Sequence, residues 1–159
     1  MPASSAQLVD YVKAGKPVTE SGYEQSEPGP DQAMRPTPGI AEFNSPSGNI
    51  SCGLLSEAAM QVPGQVVCDL VHSSFAIPPK PATCHLDWTG YFTLQAGGTV
   101  HVGACAGNPL LEPTTMTLPY GSTITQDSLA CRSESAFMAC ADLTTGHGFA
   151  VNRTTLKTY

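Results

Sequence analysis

The sequence predicts an all-β fold, a small disulfide-stapled β-sandwich, and three observations point there. Short apolar alternations of period two recur from about residue 43 onward, turn-forming residues separate them at close intervals, and six cysteines can staple the result. A small closed barrel or a trefoil-like arrangement would satisfy the same pattern and is the second expectation. With 159 residues the chain is long enough for one domain with a real core and short for two. The expected division is residues 1–42, an N-terminal helical segment and Pro/Gly-rich linker, and residues 43–159, the stapled β domain.

The first element is helical. Residues 5–14, SAQLVDYVKA, carry Leu8, Val9, Tyr11 and Val12 behind a Ser cap candidate, which predicts two or three turns of helix. So short a helix is marginal alone and needs a surface to pack on. The stretch that follows, GKPVTESGYEQSEPGPDQAMRPTPG, is rich in Pro, Gly and Glu with little to bury, and reads as an extended linker or a strap lying on the domain.

The strands follow. Ile50, Cys52 and Leu54 share one face of a strand, and Val66, Cys68 and Leu70 share a face of another. Further strands are expected at YFTL (91–94), TVHVGAC (99–105), SLACR (128–132), AFMACADL (136–143) and GFAVNR (148–153). Between them PSG, PG, AGG, LPYGS and TGHG supply turns. One device occurs twice: SPSGNISCGL (45–54) and SESAFMACAD (133–142) align without a gap as a tight turn, a strand and a cysteine halfway along it. Two copies do not define a repeat fold. In SPSGNISC, Pro46 and Gly48 set the turn, and the serines read as turn makers rather than nucleophiles.

The cysteines fix the compartment. Cys52, Cys68, Cys84, Cys105, Cys131 and Cys140 are even in number, and no pair has the two-residue spacing of a zinc knuckle or a thioredoxin-type motif. Their order suggests three local bridges, Cys52 with Cys68, Cys84 with Cys105 and Cys131 with Cys140, among fifteen possible pairings of six cysteines. Disulfides persist only in an oxidising place, so an extracytoplasmic location is expected, secreted or associated with the cell envelope. The opening MPASSAQLVDYVKAG lacks the basic start and apolar run of an export signal, which suggests a mature or trimmed form. No stretch approaches the ~20 apolar residues of a membrane span.

Charge excludes one class of partner. The formal net charge of −6, with seven basic residues against thirteen acidic ones, leaves no basic cluster to neutralise phosphates, so nucleic acid is not an expected partner.

FNSPSGNISC, VVCDL, LPYGS, CRSESAFMAC and above all TGHGFAVNR resemble a cysteine-rich domain of unknown function found in exported and cell-envelope proteins of mycobacteria and related actinobacteria. The resemblance runs over residues 43–159 and departs at DWTGYF and at the AGN after Cys105. It implies an exported, disulfide-tied domain and brings no catalytic residue.

Candidate chemistry is sparse. His147, between two glycines in TGHGF, could be an exposed imidazole for proton transfer or ligand binding; equally, the glycines could serve a turn that the ring fixes. No Gly-x-Ser-x-Gly elbow accompanies it, so His147 is only a weak catalytic candidate. His72, His85, His101 and His147 show no metal-ligand spacing, and no metal or cofactor is expected. Asp69, Asp87, Asp127, Glu134 and Asp142 fall near strand ends and could pair for glycoside cleavage or simply form turns. Trp88, the only tryptophan, and Tyr91 could form an exposed aromatic pair that stacks on a sugar or anchors a partner; the plainer reading puts Trp88 in the core. Asn49 and Asn152 match glycan acceptor sites, which matter only in a eukaryotic secretory path.

The expected function is that of a non-catalytic surface or cell-envelope binding module for a protein or an envelope glycan, host-facing if the source is a pathogen. Its contact points are expected around Trp88, Tyr91, Tyr120 and His147. The rival expectation is a secreted hydrolase using His147 with a nearby Ser or carboxylate.

Overall fold

The computed structural model describes residues 1–107, 110, 111, 114 and 116–159. Helix α1 (Ser5–Lys13) starts where the Ser4 hydroxyl accepts the Gln7 N–H at 3.3 Å. The strands follow as β1 (Lys16–Val18), β2 (Glu24–Pro28), β3 (Met34–Asn44), β4 (Ile50–Leu55), β5 (Gln65–Leu70), β6 (Asp87–Gln95) and β7 (Val100–Ala106). A second group comprises β8 (Ser122–Gln126), β9 (Leu129–Ser133), β10 (Met138–Asp142), β11 (Gly148–Val151) and β12 (Leu156–Thr158). One sheet has the order β2-β3-β4-β5-β6-β7, and the other β1-β8-β9-β10-β11-β12. All pairings between these strands are antiparallel except β1 with β8, which is parallel.

The two sheets face each other as a sandwich, with neither closed into a barrel. Period two explains how. On the second sheet Cys131, Met138, Cys140, Phe149 and Val151 point into the shared core, while the intervening Ala130, Ala139, Ala141 and Ala150 point outward. Facing them from the first sheet are Phe43, Ile50, Cys52, Leu54, Val66, Cys68, Phe92 and Leu94. The expected inward faces of β4 and β5 are thus the observed ones, with Leu70 packed at the margin of the core.

Helix α1 covers the alanine side of the second sheet. Leu8 and Val12 are fully buried there, each contributing roughly 1.5–3 kcal/mol of burial. Small residues allow the close approach: a Cβ on Gly148 would stand 2.6 Å from Leu8 and 2.3 Å from the Cys140 carbonyl oxygen. Two side chains tie the end of the helix to the sheet. Thr123 Oγ1 donates to the Val12 carbonyl and Arg132 Nη1 to the Tyr11 carbonyl, both at 2.8 Å.

The stretch expected to be a linker or strap is instead woven into both sheets. It supplies β1, a 3-10 turn (Glu20–Tyr23), β2 and the start of β3, and the expected division at residue 42/43 falls inside β3. The prolines that disguised it lie at tolerated places: β2 is an edge strand, and Pro36 and Pro38 sit where the β2–β3 register shifts. Strands β8 and β12 were also unforeseen, being short and bounded by polar residues.

All six cysteines are bridged in the expected pairs. Cys52 lies directly across from Cys68, and Cys131 directly across from Cys140, each pair with a Cα separation of 4.1 Å. These two bridges, one in each sheet, abut in the core, so that the Sγ atoms of Cys52, Cys68 and Cys140 lie within 4.8 Å of one another. That cluster is two neighbouring disulfides, its sulfurs consumed by the bridges. The third bridge, Cys84 to Cys105, ties the long connection after β5 to edge strand β7, with Cys105 exposed. No helix among the described residues is long and apolar enough to cross a membrane.

Candidate functional site

The two copies of the turn-strand-cysteine device meet at one end of the sandwich. In the first, Ser45 closes the β3–β4 turn: its N–H donates to the Ile50 carbonyl at 2.7 Å, and its Oγ accepts the Ile50 N–H at 3.1 Å. In the second, the Glu134 N–H donates to the Phe137 carbonyl at 3.0 Å and closes the β9–β10 turn. β4 begins at Ile50 and β10 at Met138, the same point of the device, and both residues are buried in the core. One sheet presents the first turn and the facing sheet the second.

Between these turns runs an open groove of about 510 Å³, within the ~300–1,000 Å³ span of small-molecule sites. The first turn contributes Ser45, Ser47, Asn49 and Ile50, the second Glu134, Ser135, Ala136 and Phe137. Tyr120 enters from the turn before β8, His72 from the segment after β5, and Asn152, Arg153 and Thr154 from the β11–β12 turn.

Some lining groups build the frame. Asn49 pairs with the His72 backbone in both directions, Nδ2 donating to its carbonyl at 3.1 Å and Oδ1 accepting its N–H at 3.0 Å. Asn152 Oδ1 accepts from the N–H groups of Thr154 and Thr155 at 3.0 and 2.9 Å, fixing the turn that carries Arg153. The Arg153 carbonyl accepts the Ser74 N–H at 2.8 Å. The Glu134 carboxylate is drawn aside by Arg132, which donates to Oε1 from Nε at 2.9 Å and from Nη2 at 2.6 Å.

Other lining groups are free to meet a ligand. Tyr120 is 43% exposed. The Arg153 guanidinium, the His72 ring and the Ser135 hydroxyl are exposed with no hydrogen-bond partner among the described residues. The arrangement offers hydroxyls, amides, a guanidinium and an aromatic face along a shallow wall. Glu134 is the only carboxylate of the described lining, so the paired carboxylates of a glycosidase are not assembled here.

Of the residues expected to bind, only Tyr120 lines the groove. Tyr91 is buried, so it forms no exposed pair with Trp88; it lies in the stretch of β6 where the register with β7 shifts between Thr89 and Phe92. Trp88 is half-buried and serves as a strut. Its Nε1–H donates to the Pro78 carbonyl at 2.8 Å, and its ring lies so close over Gly103 (φ +86°) that a Cβ there would stand 2.1 Å from Cζ2.

His147 lies at the opposite end. β10 runs from Met138 beside the groove to Asp142, and His147 follows in the next turn. Its Nδ1 contacts the Gly98 carbonyl at 2.7 Å, which requires the proton on Nδ1, and Asp142 Oδ2 accepts the neighbouring Gly97 N–H at 2.8 Å. Two side chains of one sheet therefore grip the β6–β7 turn of the other. No serine, aspartate or glutamate side chain hydrogen-bonds the His147 ring among the described residues.

The remaining candidates are dispersed. His85 and His101 are exposed and apart from the groove, as is Asp87. Asp127 Oδ2 accepts the Glu57 N–H at 3.1 Å. Burial raises the Asp69 carboxyl above the ordinary carboxylate range, with the Leu70 N–H opposing the shift only in part. What sequence reasoning missed is the groove itself, although the signal was present: a device used twice, in segments that the topology brings to one end.

Over residues 33–158 the chain matches a family described as Family of unknown function (DUF6636). No curated protein and no solved structure matches it.

Proposed function

Since the chain belongs to a family of unknown function (DUF6636), its activity has to be argued from its own surface, and we propose a non-catalytic glycan-binding module, exported and associated with the cell envelope or cell surface. The three disulfides support the oxidising compartment. The groove between the Ser45–Ile50 and Glu134–Phe137 turns supports the binding role, and it is the observation that carries the reading.

Its chemistry favours a saccharide over a folded protein. A protein partner needs a patch of roughly 800 Å² with apolar anchors at its centre. This site is instead concave and modest in volume, and beside Ile50, Ala136 and Phe137 it sets serines, asparagines and one exposed tyrosine. Hydroxyls and amides match the donors and acceptors of sugar hydroxyls, and an aromatic face can cover the apolar face of a pyranose ring. The hydrolase reading draws no support from His147, whose ring is engaged by a backbone carbonyl away from the groove.

The test is a titration of ¹⁵N-labelled protein with fragments of envelope polysaccharide. Shifts are expected at Ser47, Ser135 and Arg153, and Tyr120→Ala should weaken binding about tenfold, the scale of a lost stacking contact. Shifts confined to the surroundings of Trp88 or His147, or release of shorter sugars during the titration, would overturn the reading.

A further inference from the structure

Resting on the reading of the groove as a glycan site, we infer that its ligand is an anionic saccharide whose oxyanion, carboxylate or phosphate, is received by Arg153. The chain carries a net charge of −6, so its overall field repels anions and an anionic ligand can be held only by a local arrangement. The groove supplies one. Of its ionisable side chains, Glu134 is neutralised by a two-point contact from Arg132, which is itself anchored to the Tyr11 carbonyl and lies over the Tyr11 ring at 4.3 Å. Glu134 is thereby held toward Arg132 and supplies no free counter-charge. Arg153 pairs with no carboxylate among the described residues. Arg35, by contrast, is paired with Asp31 at 2.8 Å even on the exposed β2–β3 turn.

Arg153 is also presented rigidly. Its carbonyl is held by the Ser74 N–H, and the Asn152 side chain locks the turn on either side, so little backbone freedom is lost when the guanidinium engages a ligand. A guanidinium offers a planar fork that suits the two oxygens of a carboxylate or phosphate. The groove thus joins a sugar-like lining to one unpaired cation carried on a held backbone.

The probes are short uronate oligosaccharides, the same oligosaccharides after reduction of their carboxyl groups, a phosphorylated oligosaccharide and a short Asp/Glu peptide. Wild-type protein should bind the uronate or the phosphorylated form about tenfold more tightly than the neutral form, with the preference shrinking as salt is raised. Which of the two anionic forms is preferred identifies the oxyanion. Arg153→Gln should abolish the preference and leave neutral-sugar binding in place. Its thermal midpoint should not move, because only the backbone of Arg153 takes part in the fold. Tyr120→Ala should weaken acidic and neutral forms alike.

Equal wild-type affinity for charged and neutral sugars, or a preference that survives Arg153→Gln, overturns this inference while leaving the glycan reading intact. Binding of none of the saccharides overturns both. Tighter binding of the acidic peptide than of any saccharide also overturns both and makes the groove a protein site.

Discussion

Asp142 and Gly97 join the two sheets. The carboxylate at the end of β10 accepts the Gly97 N–H at 2.8 Å from the β6–β7 turn of the opposing sheet, with the His147 ring on the Gly98 carbonyl beside it. The sequence offers His147 as the sharpest candidate for chemistry. The structure gives it a mechanical neighbour instead, and the pair acts as a clasp at the end of the sandwich remote from the groove.

This clasp should be acid-labile. Burial pushes the Asp142 carboxyl up, but hydrogen bonds from the Gly97 and Thr144 N–H groups and from the Thr145 and Ser128 hydroxyls outweigh it, so the net shift is downward. A carboxyl depressed in the folded state contributes stability above its unfolded value of about 4, and that contribution is lost as pH falls through the lower folded value. Asp142→Asn should therefore cost about 1–3 kcal/mol at pH 7. The gap from wild type should narrow as pH falls from about 5 toward 2. Urea denaturation across that range checks it, and a gap independent of pH would refute the assignment.

The three disulfides should differ in reactivity by position. Cys52, Cys68, Cys131 and Cys140 are buried between the sheets, whereas Cys105 lies exposed on edge strand β7. Thiol exchange requires access to a sulfur. Under mild reduction of the folded protein, pulse alkylation with mass spectrometry should label Cys84 and Cys105 first. Early labelling of Cys131 or Cys140 would show that the core opens more readily than its packing implies.

The two serines of the repeated device should respond in opposite ways. Ser45 Oγ accepts the buried Ile50 N–H, and Ser45→Ala strands that donor at a cost of about 1–3 kcal/mol. Ser133, its counterpart, is fully buried with no hydrogen-bond partner for its Oγ. Ser133→Ala removes an unsatisfied hydroxyl and should be neutral or stabilising by about 1 kcal/mol. Thermal midpoints of the two variants decide it; equal losses would mean that Ser133 has a partner in solution, such as a buried water.

The inward faces of β4 and β5, the strands β9, β10 and β11 and the disulfide pairing were legible because alternation and cysteine position are local signals: Ile50, Cys52 and Leu54, like Val66 and Cys68, lie two apart and enter the core together. The β2–β3 hairpin was not, since Pro28, Pro36 and Pro38 are compatible with an edge or an irregular register only once neighbouring strands are known. The site divides in the same way. Tyr120 could be proposed from its turn, but Arg153 and His72 acquire meaning only when distant turns converge. Trp88 misled for a related reason, because the strand residue it covers, Gly103, is fifteen positions away.

Every disulfide lies within one half of the chain: Cys52–Cys68 and Cys84–Cys105 precede the crossing between β7 and β8, and Cys131–Cys140 follows it. A single proteolytic nick in that crossing would thus separate the polypeptide into two individually bridged pieces with no covalent bond between them. The pieces would stay together only through the shared core and the contacts across it, which makes this crossing the natural place to divide the protein into complementing fragments.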